Sequence, residues 1–349
     1  MDEKRVTKSI RIFCLFLTLT LIGITSFSAY AEDKPTIKLK YGSYAPRNIM
    51  DEPILWYLSE VSKRSGIKIE VETYFAGTLA KPPDCLGAIG VGIYDIGWIS
   101  PVFTPTKTPL AIIPNATPLV SVPLKTSLRA ANEYTKTFPP AALEFKKSNV
   151  KCLFHSGVWY YDLMSIKPVK SYEDIKGLRV RTYGYLAKVW SELGGMPISI
   201  SIPEVYSSLQ KGVLDAVLTQ PAAYKSLHLS DVAKHFTKIN FGCLSVPVVL
   251  NLKTWNKLPK QVQKAMNDLA HEMPAIADEM ISSSELEVIA SMEKEGISIN
   301  KLPATDIARN RNVSKMVTKI IVDDLTSKGI TTAGEAMGIY LKAIEKYKN

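Results

Sequence analysis

The sequence predicts an α/β fold in two domains facing a cleft, and three observations carry that prediction. Between residues 172 and 221 the chain alternates strand, helix, strand, helix, strand: LRVRT, a helix over about 183–193, PISIS, a helix over 203–211, and LDAVL. Such alternation builds a parallel sheet. A second βα block opens beyond residue 36, and a helical pattern of nearly 37 residues, 259–295, follows both blocks.

The amino terminus stands apart from this pattern. Lys4, Arg5, Lys8 and Arg11 precede an apolar run from Ile12 to about Phe27, and Ala29-Tyr30-Ala31 has the small-x-small form of a cleavage site. Residues 1–31 are therefore expected to be a cleaved secretory signal peptide. The competing reading, a retained anchor, is weaker because about 16 apolar residues fall short of the roughly 20 that span a bilayer. Cys14 lacks the small-residue context of a lipoprotein cysteine, so a free exported protein is expected. Its localisation would be periplasmic.

In the first block, residues 36–41 and 67–74 alternate apolar and polar side chains as strands do, and 52–64 between them has amphipathic helical spacing. FAGTL at 75–79 supplies a turn. A helix over 84–91 ends at Gly92 and leads into the strand YDIGWIS. Prolines at 101, 105, 109, 114, 118 and 123 then exclude a central strand or a long helix. A helical stretch from Thr126 is interrupted at Pro139-Pro140 and resumes to Lys147, and VKCLFHS reads as a strand. After the second block, PVVLN returns the chain, and Pro274 is expected to kink the long helical run. A short strand over 297–302 and helices over 306–327 and 332–346 close the sequence. The hinge is expected near 155–160 and again near 244–251.

Composition narrows the function. The formal charge is +10, and removing the four basic and two acidic residues of the leader leaves about +8. The Lys and Arg are dispersed, with no long basic run, which favours small anionic ligands over nucleic acid. Cys85, Cys152 and Cys243 allow at most one disulfide and are read as unpaired thiols. His155, His228, His235 and His271 have no metal-ligand spacing, and GxSxG, a P-loop and a GxGxxG opening a helix are absent. No enzymatic activity, cofactor or metal is expected.

Arg181 is the residue that points to chemistry. It ends the strand LRVRT, and open parallel sheets bind ligands at the carboxyl ends of their strands. A planar guanidinium offers paired donors matched to a carboxylate. Arg179, two residues earlier, is read as a packed or surface cation. Aromatic residues gather around the same places: Trp98 ends DIGWIS, Trp159, Tyr160 and Tyr161 lie in the hinge, and Tyr183 follows Arg181. Because strand side chains alternate, only some of these can face the cleft, and the rest pack in the core.

Several segments together resemble the substrate-binding proteins of TRAP transporters, the DctP-type family. They are FAGTL with GVGIYDIGWIS, EDIKGLRVR, ELGGMPISISIPEVYSSLQKGVLDA and LNLKTWNKLPKQVQKAM, in order across most of residues 37–270. The resemblance implies a two-domain periplasmic binding protein (Venus-flytrap) fold with a long helix spanning both domains. Domain I would comprise 32–157 plus 247–286, and domain II 158–246 plus 287–349. It implies closure over a small carboxylate and delivery to integral membrane TRAP transporter subunits by a monomeric receptor. It also places the family's carboxylate-binding arginine at Arg181. Where many members carry a ligand-contacting asparagine, this chain has Thr219, with Gln220 as a substitute. The acidic and aromatic pair that holds a metal in some relatives has no counterpart at Leu218-Thr219. Arg181, Thr219, Trp159, Tyr183, Trp98, Tyr160 and Gln220 are the expected ligand-binding residues, and an apolar or aromatic monocarboxylate is the expected ligand. The alternatives are a ligand-sensing subunit of a signalling system and a receptor of another periplasmic family.

Overall fold

The computed structural model describes residues 36–117, 122–182, 184–200 and 202–348. Residues 1–35, which include the expected signal peptide, and Tyr183 lie outside the described residues. Strands β1 (Ile37–Gly42) and β2 (Ile69–Tyr74) pair in parallel, with Ile37 opposite Ile69, and α1 (Glu52–Ser65) makes the crossover. Ile54, Tyr57, Leu58 and Val61 recur at helical spacing and are the face α1 buries. Gly66, with φ of 68°, ends it in the left-handed conformation glycine adopts freely. Helix α2 (Cys85–Val91) leads to β3 (Ile96–Trp98), which lies parallel to β1. The approach is close: a Cβ at Gly97 would sit 2.5 Å from the carbonyl oxygen of Gly42.

Among its described residues the proline-rich stretch holds a 3-10 turn (Pro101–Phe103) and α3 (Ile112–Ala116) before α4 (Leu124–Thr137) and α5 (Pro139–Lys147). Then follow β4 (Val150–Val158), β5 (Asp162–Ser165), β6 (Arg179–Arg181), α6 (Gly184–Glu192), β7 (Met196–Ile198), α7 (Val205–Gln210), β8 (Ala216–Thr219), α8 (Ala222–Ser226), β9 (His235–Lys238) and β10 (Leu244–Asn251). Helices α9 (Leu252–Lys257), α10 (Lys260–Ala270) and α11 (Met273–Lys294), strand β11 (Ser298–Lys301), and helices α12 (Ala304–Ser327) and α13 (Ala333–Tyr347) complete the chain.

Two sheets result, ordered β2-β1-β3-β10-β4 and β11-β9-β5-β8-β6-β7. The chain passes between them at 158–162 and at 238–244, and α11 packs on β4 and α4 from one side and on α8 from the other. The fold is thus the mixed α/β architecture with two sheets and a long shared helix. Strands β5 and β9, not assigned from sequence, are antiparallel neighbours inside the second sheet.

Three details differ from the sequence reading. Residues 259–295 form two helices, because Pro274 occupies the first turn of α11 and starts a helix there instead of kinking one. Leu244, Ser245 and Val246 already pair with β4 in the first sheet. The carboxyl-terminal segment does not stay with the second sheet: α13 buries Tyr340, Ala343 and Ile344, and it is tied to α4. The ties are Thr126 Oγ1 donating to the Tyr347 carbonyl at 2.9 Å and a 2.7 Å Lys346–Glu133 ion pair.

Candidate ligand-binding site

The carboxyl ends of β1, β3, β6 and β8 converge on a cavity of about 250 Å³ between the two sheets. Residues 44–48, Trp98, Ser100 and Phe103 line it from the first sheet, and Arg181, Thr219, Gln220 and the start of α8 from the second. The volume is below the roughly 300–1,000 Å³ of drug-sized ligand sites, so it suits a small molecule.

Arg181 is 8% exposed at the end of β6, flanked in register by Ile198 of β7 and Val217 of β8. Its Nε donates to the Ile200 carbonyl at 3.3 Å, which holds the plane of the guanidinium beside the cavity. Gly184, with φ of 58°, opens α6 immediately beyond and lets the chain turn there without a Cβ penalty. Arg179 has a different task. Its Nε and Nη2 reach the two oxygens of Asp215 at 2.9 and 2.7 Å, a bidentate pair that holds the Asp215 carboxyl below its ordinary range.

Thr219 and Gln220 both line the cavity, and the Thr219 hydroxyl donates to Gln220 Oε1 at 3.2 Å. That bond directs the Gln220 amide nitrogen away from its neighbour. Arg181 and the exposed Arg47 are the charged residues among the described lining, and Arg47 is engaged by Glu52 at 2.9 Å. The opposite wall is aromatic. Trp98, 4% exposed, meets Tyr44 with ring centroids 4.3 Å apart, and Tyr44 meets Phe103 edge-on at 6.1 Å.

Of the expected residues, the cavity brings together Arg181, Thr219, Trp98 and Gln220. Trp159 and Tyr160 do not join them. Beyond Val158 the chain leaves the first sheet, and these two rings pack against Leu124, Leu128, Cys243 and α11 residues Ala277 and Ile281. Tyr160 donates its hydroxyl to the Val122 carbonyl at 2.9 Å. Val158 and Tyr161 on either side of them line the cavity instead.

Sequence reasoning missed four buried polar groups around this site. Asp51 accepts from Tyr41 Oη, Trp98 Nε1 and the Asn48 backbone, and burial pushes its carboxyl up. Asn115 bridges Ser100 Oγ and the Ser245 carbonyl at 3.1 and 2.9 Å. Asp162 accepts from the Ile239 and Asn240 amides, both at 2.8 Å, so it clamps one inter-sheet crossing to the other. Glu285 of α11 accepts from the Ala222 amide at 2.7 Å, beside the cavity. Burial pushes Asp162 up to about 7 and Glu285 up to about 8. Glu285 was the findable one, because it interrupts the buried stripe of Ile281, Ile289 and Met292.

Among the described residues no group of three or more His, Cys, Asp or Glu is placed to hold a metal, and no helix is long and apolar enough to cross a membrane. Cys85, Cys152 and Cys243 are separate thiols.

Comparison with known proteins defines the class. Residues 46–324 match the bacterial extracellular solute-binding protein family 7, DctP, and the chain belongs to that family of TRAP transporter receptors. A solute-binding protein of Albidiferax ferrireducens is 23% identical over 305 residues, 83% of this chain and 85% of that one. Among solved structures, a marine metagenome TRAP solute binding protein in complex with 3-hydroxybenzoate superposes with a TM-score of 0.79 at 21% identity, covering 90% of this chain and 99% of that one. A Rhodoferax ferrireducens TRAP protein with copurified benzoate gives 0.78 at 20% identity, over 89% and 98%. Other structural neighbours hold different acids: a Bordetella pertussis receptor binds pyroglutamic acid (0.70, 21% identity, 88% and 99% coverage), and a Chromohalobacter salexigens protein binds D-glucuronate (0.74, 17%, 87% and 99%). The family spans apolar and hydroxylated acids. Membership thus establishes a solute receptor of a periplasmic, non-enzymatic family that works with membrane TRAP components, and leaves the ligand to this chain's own residues.

Proposed function

We propose that this protein is an extracytoplasmic receptor for a small aromatic monocarboxylate, which Arg181 holds by its carboxylate while Tyr44, Trp98 and Phe103 cover its ring. The observation that carries this reading is the division of the cavity. One buried cation stands on the second-sheet side, and the Tyr44, Trp98 and Phe103 rings face it from the first-sheet side, where the charged lining residue Arg47 is exposed and paired with Glu52. A guanidinium binds a carboxylate through two parallel charge-assisted hydrogen bonds. A ring against aromatic side chains gains dispersion and offset contacts, whereas a sugar acid would leave its hydroxyls short of partners there. The Gln220 amide nitrogen, oriented by the Thr219 hydroxyl, supplies a further donor beside the carboxylate. Closure of the two sheets over the acid, as a monomer with no nucleic-acid role, prepares it for release to the membrane subunits.

A thermal-shift screen tests this directly, since stabilisation grows with ligand concentration relative to Kd. Benzoate and 3-hydroxybenzoate should raise Tm by several degrees at concentrations where D-glucuronate and succinate do not. Stabilisation by glucuronate alone would overturn the ligand class.

A further inference from the structure

The aromatic wall has a buried support. Asp51 stands at the start of α1 and is 0% exposed, yet its side chain does not cap that helix. Instead one oxygen, Oδ1, accepts from Tyr41 Oη at 2.5 Å and from Trp98 Nε1 at 3.1 Å, while Oδ2 accepts from the Asn48 amide at 2.9 Å. Three parts of the wall, β1, the loop of residues 44–50 and the end of β3, therefore meet on one carboxylate. Among the described residues no ion pair is made by it.

We infer that Asp51 is a specificity-determining positioning residue: by taking the Trp98 indole N–H it fixes the ring and leaves only aromatic carbon surface toward the ligand. This rests on the aromatic-acid reading above. Two effects follow. The indole cannot rotate about its side-chain torsions without giving up a charge-assisted bond, so the wall is preorganised for a flat ring. The donor that a hydroxylated ligand could use is also already engaged, so hydroxylated acids gain nothing from Trp98. Asp51 touches no ligand; it acts through Trp98.

Calorimetric Kd values for benzoate and cyclohexanecarboxylate, which carry the same carboxylate on a flat or a puckered ring, test this in wild type, Asp51→Ala and Asp51→Asn. Loss of ring positioning should lower the benzoate preference of Asp51→Ala by about three- to tenfold, in the range of aromatic pair energies. Asp51→Asn keeps an acceptor at Oδ1 and should retain the preference within about twofold. The indole N–H resonance of Trp98, identified with Trp98→Phe among the five tryptophans, should move in Asp51→Ala and stay near its wild-type position in Asp51→Asn. Equal weakening of both acids in Asp51→Ala, with an unchanged ratio, would overturn the inference. If wild type binds neither acid, the aromatic-acid reading fails by itself, and the Trp98 resonance alone decides: unmoved in Asp51→Ala, it rejects Asp51 as the positioning residue. Should Asp51→Ala not fold, Asp51→Ser, whose hydroxyl is too short to reach the indole, takes its place with the same expectations.

Discussion

Glu285→Gln should remove a pH dependence of stability that the native protein carries. Burial raises the Glu285 carboxyl from 4.5 to about 8, so between those values the folded protein holds a proton that the unfolded chain releases. The sign is therefore destabilisation with rising pH: the contribution is fully present below about 4.5 and is lost as pH passes through about 8. A displacement of this size corresponds to on the order of 3–5 kcal/mol across the interval. Asp162, raised by burial to about 7, adds to it in the same direction and raises Glu285 further by its own charge. Glutamine keeps an acceptor for the Ala222 amide but cannot ionise. Urea-unfolding free energies at about pH 5 and about pH 9 should show the native protein losing a few kcal/mol more than Glu285→Gln. Parallel losses in the two proteins would refute the reasoning.

Three further outcomes follow from the site. Arg179→Ala should lower Tm by removing the bidentate pair with Asp215, yet leave the Kd of a bound acid within about twofold, because neither partner lines the cavity. Thr219→Val, by calorimetry, should weaken acid binding about fivefold, since one neutral hydrogen bond and the orientation of Gln220 are lost. Asp162→Asn should flatten the stability profile over about pH 4–7 relative to wild type, measured by the same urea titration, with the lost slope tracing a carboxyl displaced from 3.8 to about 7.

How much of this was readable from the residues depended on the range of the interaction. Local periodicity served well: LRVRT, DIGWIS and LDAVL sit where strands end at the cavity, and Arg181 is carried there by chain geometry alone. Alternation along a strand could not say which hinge aromatics face inward, because the chain changes sheets between Val158 and Asp162 and the period is broken there. Trp159 and Tyr160, expected in the cleft, therefore pack against the core, while Tyr161 lines the cavity. Asp51 was invisible for a different reason. An aspartate before a helix is ordinarily a cap, and only the fold brings Tyr41 and Trp98 to it from 10 and 47 residues away. The same holds for Asp162, whose partners lie 77 and 78 residues downstream.

The central claim is that one buried guanidinium facing an aromatic wall selects an aromatic monocarboxylate, and calorimetry of benzoate against wild type, Arg181→Lys and Arg181→Ala tests it most directly. The account predicts that lysine, which keeps the charge but not the paired donors, weakens binding about tenfold, and that alanine weakens it by about 100-fold or more while the circular dichroism spectrum is unchanged. Benzoate bound by a folded Arg181→Ala protein with the wild-type Kd would contradict it.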